Sequence, residues 1–121
     1  MSLHRDRAAV VILNWNRPRL TLNCLESVLN LENTGFRIFL VDNHSETSSL
    51  QTLRRELDCL ASRYGLRFNQ MRINEAATWT QSSDENADLV LLCSHENKGF
   101  GGGVNLGLRA ALEDPTLSLF W

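Results

Sequence analysis

The run His95-Glu96-Asn97-Lys98-Gly99-Phe100-Gly101-Gly102-Gly103-Val104-Asn105-Leu106-Gly107 holds five of the chain's seven glycines within nine residues. Glycine has only backbone uses. The run lies between an apolar stretch, Leu89 to Cys93, and a helical pattern, Leu106 to Leu112. It therefore reads as a strand-to-helix turn whose main chain approaches something closely. The following helix would offer free N–H groups and a partial positive charge, the usual setting for a phosphate. Two further polar groups follow apolar runs: Asn14-Trp15-Asn16 and Asp42-Asn43-His44-Ser45. An ionised Asp42 is acceptor-only, which suits either the N–H of a nucleotide base or the cap of a turn before the next helix. Trp15 offers an apolar wall for a base, or a partly buried core residue.

Generic motifs do not decide among these roles. Gly101-x-Gly103-x-x-x-Gly107 is a loose variant of the dinucleotide fingerprint, but it is separated from its strand by polar residues. The acidic ribose partner, about 20 residues on, would lie beyond Trp121. Lys98 precedes the glycines and has no Ser or Thr at the helix start, which excludes a Walker motif. Close helix-to-sheet packing is the alternative use of the glycines.

Other chemistries are poorly provided for. Cys24, Cys59 and Cys93 are odd in number, widely spaced and set in apolar patterns, which predicts three buried free thiols and neither a disulfide framework nor a zinc site. His4, His44 and His95 do not fall at ligand spacing, so no metal site is expected from these residues. A net charge of −2 and a pI near 5.9 give no footprint for nucleic acid or an anionic membrane surface. No run approaches the roughly 18 apolar residues of a membrane span. The charged start, Met1 to Arg7, leads straight into a strand pattern, so no signal peptide and a cytoplasmic location are expected.

The elements that must position these groups follow from periodicity. Ala8 to Leu13 reads as a strand buried on both faces. Pro18 opens a helix carried by Leu22, Cys24, Leu25, Val28 and Leu29, which Asn30 to Gly35 ends. Phe36 to Val41 is the next strand. Ser48 with Gln51 looks like a capping box for a helix whose face is Leu50, Leu53, Leu57, Leu60 and Tyr64. Leu66, Phe68, Met71 and Ile73 suggest a short strand, and Asn74 to Ala87 a long surface loop. Leu89 to Cys93 is a buried strand, Asp114-Pro115 breaks the last helix, and Leu117 to Trp121 is apolar. The order predicts an α/β chain, three layers deep, with a largely parallel sheet. Ligands of such sheets bind beyond the carboxyl ends of the strands, where the three polar groups lie. The absence of a polar stop after Leu117 to Trp121 suggests a domain that is incomplete at its C-terminus.

Taken together, these segments resemble the N-terminal half of glycosyltransferase family 2, enzymes of the Rossmann-like GT-A fold, and especially its rhamnosyltransferase-like members. Val10-Val11-Ile12-Leu13-Asn14-Trp15-Asn16-Arg17-Pro18 is similar to the family's first strand and turn. Cys24-Leu25-Glu26-Ser27-Val28 is similar to its first-helix signature, and Phe39-Leu40-Val41-Asp42-Asn43-His44-Ser45 to its valine-aspartate-asparagine-x-serine motif. Glu96 to Gly107 is similar to its glutamate-asparagine-x-glycine-phenylalanine-alanine-glycine-glycine-asparagine-x-glycine segment, with Gly101 in place of the alanine and Val104 in place of a polar residue. The four motifs occur in family order and are spread over nearly all the chain except Leu66 to Asp88.

The resemblance implies a chain, residues 1–121, that holds a nucleotide-diphosphate sugar (UDP- or dTDP-linked) for inverting transfer to an acceptor hydroxyl on a glycan or lipid-linked glycan, as in cell-wall or polysaccharide biosynthesis. Asn14, Trp15, Asn16, Asp42 and Asn43 would hold the base. Asn97, Lys98, Gly99, Gly103 and Asn105 would line the ribose and diphosphate. In the family a manganese or magnesium ion sits on an Asp-x-Asp segment that would follow Trp121, and the catalytic base lies further on. Residues 1–121 are therefore expected to contain no catalytic residue, to be inactive alone and to expose the last strand's edge to self-association. A non-catalytic nucleotide-binding module and half of a dinucleotide-dependent oxidoreductase are the alternatives.

Overall fold

The computed structural model describes residues 7–31, 35–73, 87–114 and 117–120. Apolar and β-branched runs form five strands, β1 (Arg7–Asn14), β2 (Phe36–Asp42), β3 (Phe68–Ile73), β4 (Leu89–Ser94) and β5 (Leu117–Phe120). Residues with a three-to-four repeat form α1 (Pro18–Leu29), α2 (Thr47–Tyr64) and α3 (Gly99–Leu112). The strands make one sheet in the order β3-β4-β2-β1-β5, parallel at every pairing. The fold is the expected α/β arrangement of three layers.

Alternation along the strands sorts the core into two halves. Val10, Ile12, Ile38, Leu40, Leu89 and Leu91 face α1 and α2, meeting Leu25, Leu53, Leu57 and Leu60. Ala9, Phe39, Val41, Val90 and Leu92 face α3, meeting Leu106, Ala110 and Ala111. With helices on both faces, the central strands bury both sets of side chains, which explains their unbroken apolar runs. At the opposite end of the sheet from the polar turns, buried Arg37 donates from Nη1 to Asp114 Oδ2 at 2.8 Å and from Nε to the Ala87 carbonyl at 2.9 Å. No helix among the described residues is long and apolar enough to cross a membrane.

Three expectations need correction. Helix α3 begins at Gly99 and not near Leu106, so Gly101, Gly102, Gly103 and Gly107 lie within the helix and not in a turn before it. Glycine weakens an exposed helix by about 1 kcal/mol per residue, yet packing overrides that propensity. Here Gly103 and Gly107, one turn apart, form the surface against the sheet. Helix α2 starts at Thr47 after Glu46, with no side-chain cap, so the Ser48–Gln51 capping box does not form. Of the three thiols predicted to be buried, only Cys93 is; Cys24 and Cys59 are exposed. Cys24 and Cys59 each precede a buried leucine, Leu25 and Leu60, and the rotation of about 100° per residue carries them off the apolar stripe.

The short strand expected over Leu66 to Ile73 is β3, at the sheet edge beside β4. Of the loop expected over Asn74 to Ala87, only Ala87 is described, and it is buried. Trp121 also lies outside the described residues.

Candidate functional site

Parallel pairing brings the carboxyl ends of β1, β2 and β4 side by side: Asn14 is the register partner of Asp42, and Asp42 of Cys93. Asn14 is buried and donates from Nδ2 to Asp42 Oδ1 at 2.8 Å, while its Oδ1 accepts from the Thr21 hydroxyl of α1 at 2.6 Å. Asp42 is 1% exposed. Its carboxylate also accepts from the Ser45 hydroxyl at 2.6 Å and the Ser45 N–H at 3.1 Å. Burial of an ionised group is tolerated when donors surround it in this way.

The turn after β1 is fastened to the turn after β2. Asn16 adopts a left-handed backbone (φ 51°), which asparagine tolerates better than most residues. Its N–H donates to Ser45 Oγ at 2.9 Å, and its Oδ1 accepts from the Glu46 N–H at 2.7 Å. Between them Trp15 stands out, 54% exposed.

Asn43 joins these turns to the start of α3. Its N–H donates to the Asn14 carbonyl, its Oδ1 accepts from the Lys98 N–H at 2.9 Å, and its Nδ2 donates to the Gly99 carbonyl at 3.0 Å. Asn97 Oδ1 accepts from the Gly99 N–H at 2.8 Å, and Gly99 itself has φ 71°, a conformation that favours glycine. Gly103 lies beneath this link: a β-carbon there would come within 2.5 Å of Leu13 Cδ1 and 3.3 Å of Asn43 Nδ2. Lys98 pairs with Glu96 at 2.7 Å and holds that exposed carboxyl below the usual carboxylate range.

The fold thus gathers Asn14, Asn16, Asp42, Asn43, Asn97, Lys98, Gly99 and Gly103 along one rim, with Trp15 projecting from it. Asn105 is exposed, about 200° round the helix from Gly103, and takes no part in these contacts. The buried amides and the carboxylate are engaged with one another. They make a hydrogen-bonded platform whose outward-facing groups include the Trp15 ring and the exposed Asn97 side chain.

Sequence reasoning missed the cleft beside this platform. Its volume is about 590 Å³, and its lining includes Asp42, His44, Arg54, Arg72, Cys93 and His95. Arg54 follows Leu53 on α2 and is four residues from Leu50, so its place at the edge of the leucine stripe was a signal available in the sequence. Arg54 Nη2 lies 3.8 Å from Cys93 Sγ. Burial pushes the Cys93 thiol above its ordinary value, a shift that neighbouring Arg54 opposes. Among the described residues, no three His, Cys, Asp or Glu side chains gather as metal ligands. Comparison with protein families, with curated proteins and with solved structures returns no match.

Proposed function

We propose that residues 1–121 provide the nucleotide-holding part of a family 2 glycosyltransferase, binding a UDP- or dTDP-linked sugar. The observation that carries this reading is the meeting of the Asn14-Trp15-Asn16, Asp42-Asn43 and Asn97-Lys98-Gly99 segments at the carboxyl end of a parallel sheet. These are the segments on which the family resemblance rests, and that end is where open α/β sheets take ligands. Trp15 supplies a stacking face for the base, and the turn backbones around Asn43 and Gly99 supply fixed polar contacts.

The resemblance assigns its divalent cation to a segment after Trp121, and the described residues offer no alternative set of ligands for it. Asp42 is occupied by three donors, and no ligand cluster accompanies it. No step is therefore assigned to a cation here. The same engagement of Asp42 argues against a role as general base, and it favours binding over transfer as the property of residues 1–121. A non-catalytic nucleotide-binding module shares this observation and differs in lacking sugar transfer when joined to an acceptor-binding partner.

Calorimetric titration of the chain with UDP, dTDP and NAD tests the proposal. Saturable binding of UDP or dTDP and none of NAD is expected. Trp15→Ala should weaken that binding by about 1–3 kcal/mol, the worth of one base stacked on an aromatic ring, with an unchanged melting temperature. Preference for NAD, or full affinity in Trp15→Ala, would overturn it.

A further inference from the structure

We infer that the cleft between α2 and the carboxyl ends of β3 and β4 is an anion site that takes a phosphoryl group between Arg54 and Arg72. The cleft shares Asp42 with the nucleotide reading, but Arg54 and Arg72, which carry the inference, lie outside the segments on which that reading rests.

The first support is an unmet bond. Arg54 Nε is buried and has no hydrogen-bond partner among the described residues, and the guanidinium's described contact is the long one to Cys93 Sγ. A buried donor on a permanently charged group is costly to leave unpaired, and such a group in a native fold commonly marks a bound ion or water. The second support is convergence. Arg72 comes from the edge strand β3 and Arg54 from α2, and both line the same cleft with His44, Ser45, Thr47 and Ser94. Neither arginine is ion-paired among the described residues.

A third observation adds direction. Thr47 is the first residue of α2, an 18-residue helix with no side-chain cap, so free N–H groups and the positive end of the helix dipole lie at the same opening. Asp42 also lines the cleft, but its charge is held by Asn14 and Ser45. Two forked guanidiniums, a helix N-terminus and hydroxyls suit a group with several anionic oxygens, and phosphoryl fits that description better than a single carboxylate. The volume of about 590 Å³ admits more than a lone ion, which points to a phosphorylated small molecule.

The test is calorimetric titration of the 121-residue chain and its variants with pyrophosphate, UDP, uridine and succinate. Pyrophosphate should bind saturably. Arg54→Gln and Arg72→Gln should each weaken it about tenfold, the scale of one lost charge-assisted bond, and Arg109→Gln, on α3, should not. Arg72 is exposed on an edge strand, so its variant keeps the test valid should Arg54→Gln fold poorly; melting temperatures without anion monitor this. An equal loss of UDP affinity in Arg72→Gln assigns the anion to a nucleotide's diphosphate. Binding of pyrophosphate without UDP supports the site while removing the nucleotide proposal. No saturable pyrophosphate binding, wild-type affinity in Arg72→Gln, or succinate bound as tightly as pyrophosphate would overturn the inference.

Discussion

Gly107 of α3 rests directly on Val11 of β1: a β-carbon added to the glycine would lie 2.4 Å from Val11 Cγ1 and 3.1 Å from Val41 Cγ2. The neighbours are short, β-branched side chains on central strands and have little room to rotate away. Gly107→Ala should therefore lower stability by about 1–3 kcal/mol through overpacking, despite alanine's better helix propensity. Gly101, where an added β-carbon meets nothing within 4 Å, should respond oppositely, with Gly101→Ala gaining about 0.4–1 kcal/mol. Urea unfolding of the two variants measures the contrast, and equal midpoints would contradict the packing role of Gly107.

Removal of the Asp42 carboxylate leaves the Asn14 amide and the Ser45 hydroxyl and N–H without their acceptor. Asp42→Ala is expected to cost about 1–3 kcal/mol in unfolding free energy. Any loss of ligand affinity in that variant is then mixed with damage to the platform. Trp15→Ala is the cleaner probe of binding, since its side chain projects outward.

The buried Arg37–Asp114 pair makes a separate prediction about the far end of the sheet. Arg37→Met takes the guanidinium away from a buried carboxylate and should cost about 3–5 kcal/mol, whereas the double variant Arg37→Met/Asp114→Met should recover part of that loss. A double variant as unstable as the single one would show that Arg37 acts mainly through the Ala87 carbonyl and its stacking over Phe39.

Cys93 should be the slow thiol. At mildly alkaline pH, alkylation followed by mass spectrometry is expected to modify exposed Cys24 and Cys59 first, because the thiolate is the nucleophile and burial suppresses it at Cys93. The sign of the linked stability change follows. With its folded pKa raised, Cys93 stays neutral in the folded chain at pH values where the unfolded thiol ionises. Its contribution is complete below the unfolded thiol's pKa, about 8.5, and is lost as pH rises through the folded value. Cys93→Ala should flatten that alkaline decline.

Element type was legible in the sequence wherever one physical signal dominated. The unbroken runs in β1, β2 and β4 announced strands covered on both faces, and the leucine spacing of α2 announced its buried stripe. The glycines were misleading because the same residue type serves turns and close helix packing. Only the partner strands, Val11 and Val41, reveal which use applies to Gly107. Asn14 and Asp42 were legible as strand ends, but not as partners, since their contact depends on a pairing between residues 28 apart in the chain. The Arg54–Arg72 cleft depends on a third-dimensional convergence of α2 and β3 that no local pattern carries.

The Asn14–Asp42 contact also has a consequence for folding. The two residues face each other across β1 and β2, and both strands are apolar along most of their length, so hydrophobicity alone distinguishes adjacent alignments weakly. A shift of one residue would set Asn14 opposite Val41 or Asn43 and leave the Asp42 carboxylate in the interior without its amide donor. Every side chain of the slipped strand would also turn to the opposite face. The polar end of the pair thereby rejects misaligned sheets, selecting one pairing from several that the apolar residues would accept.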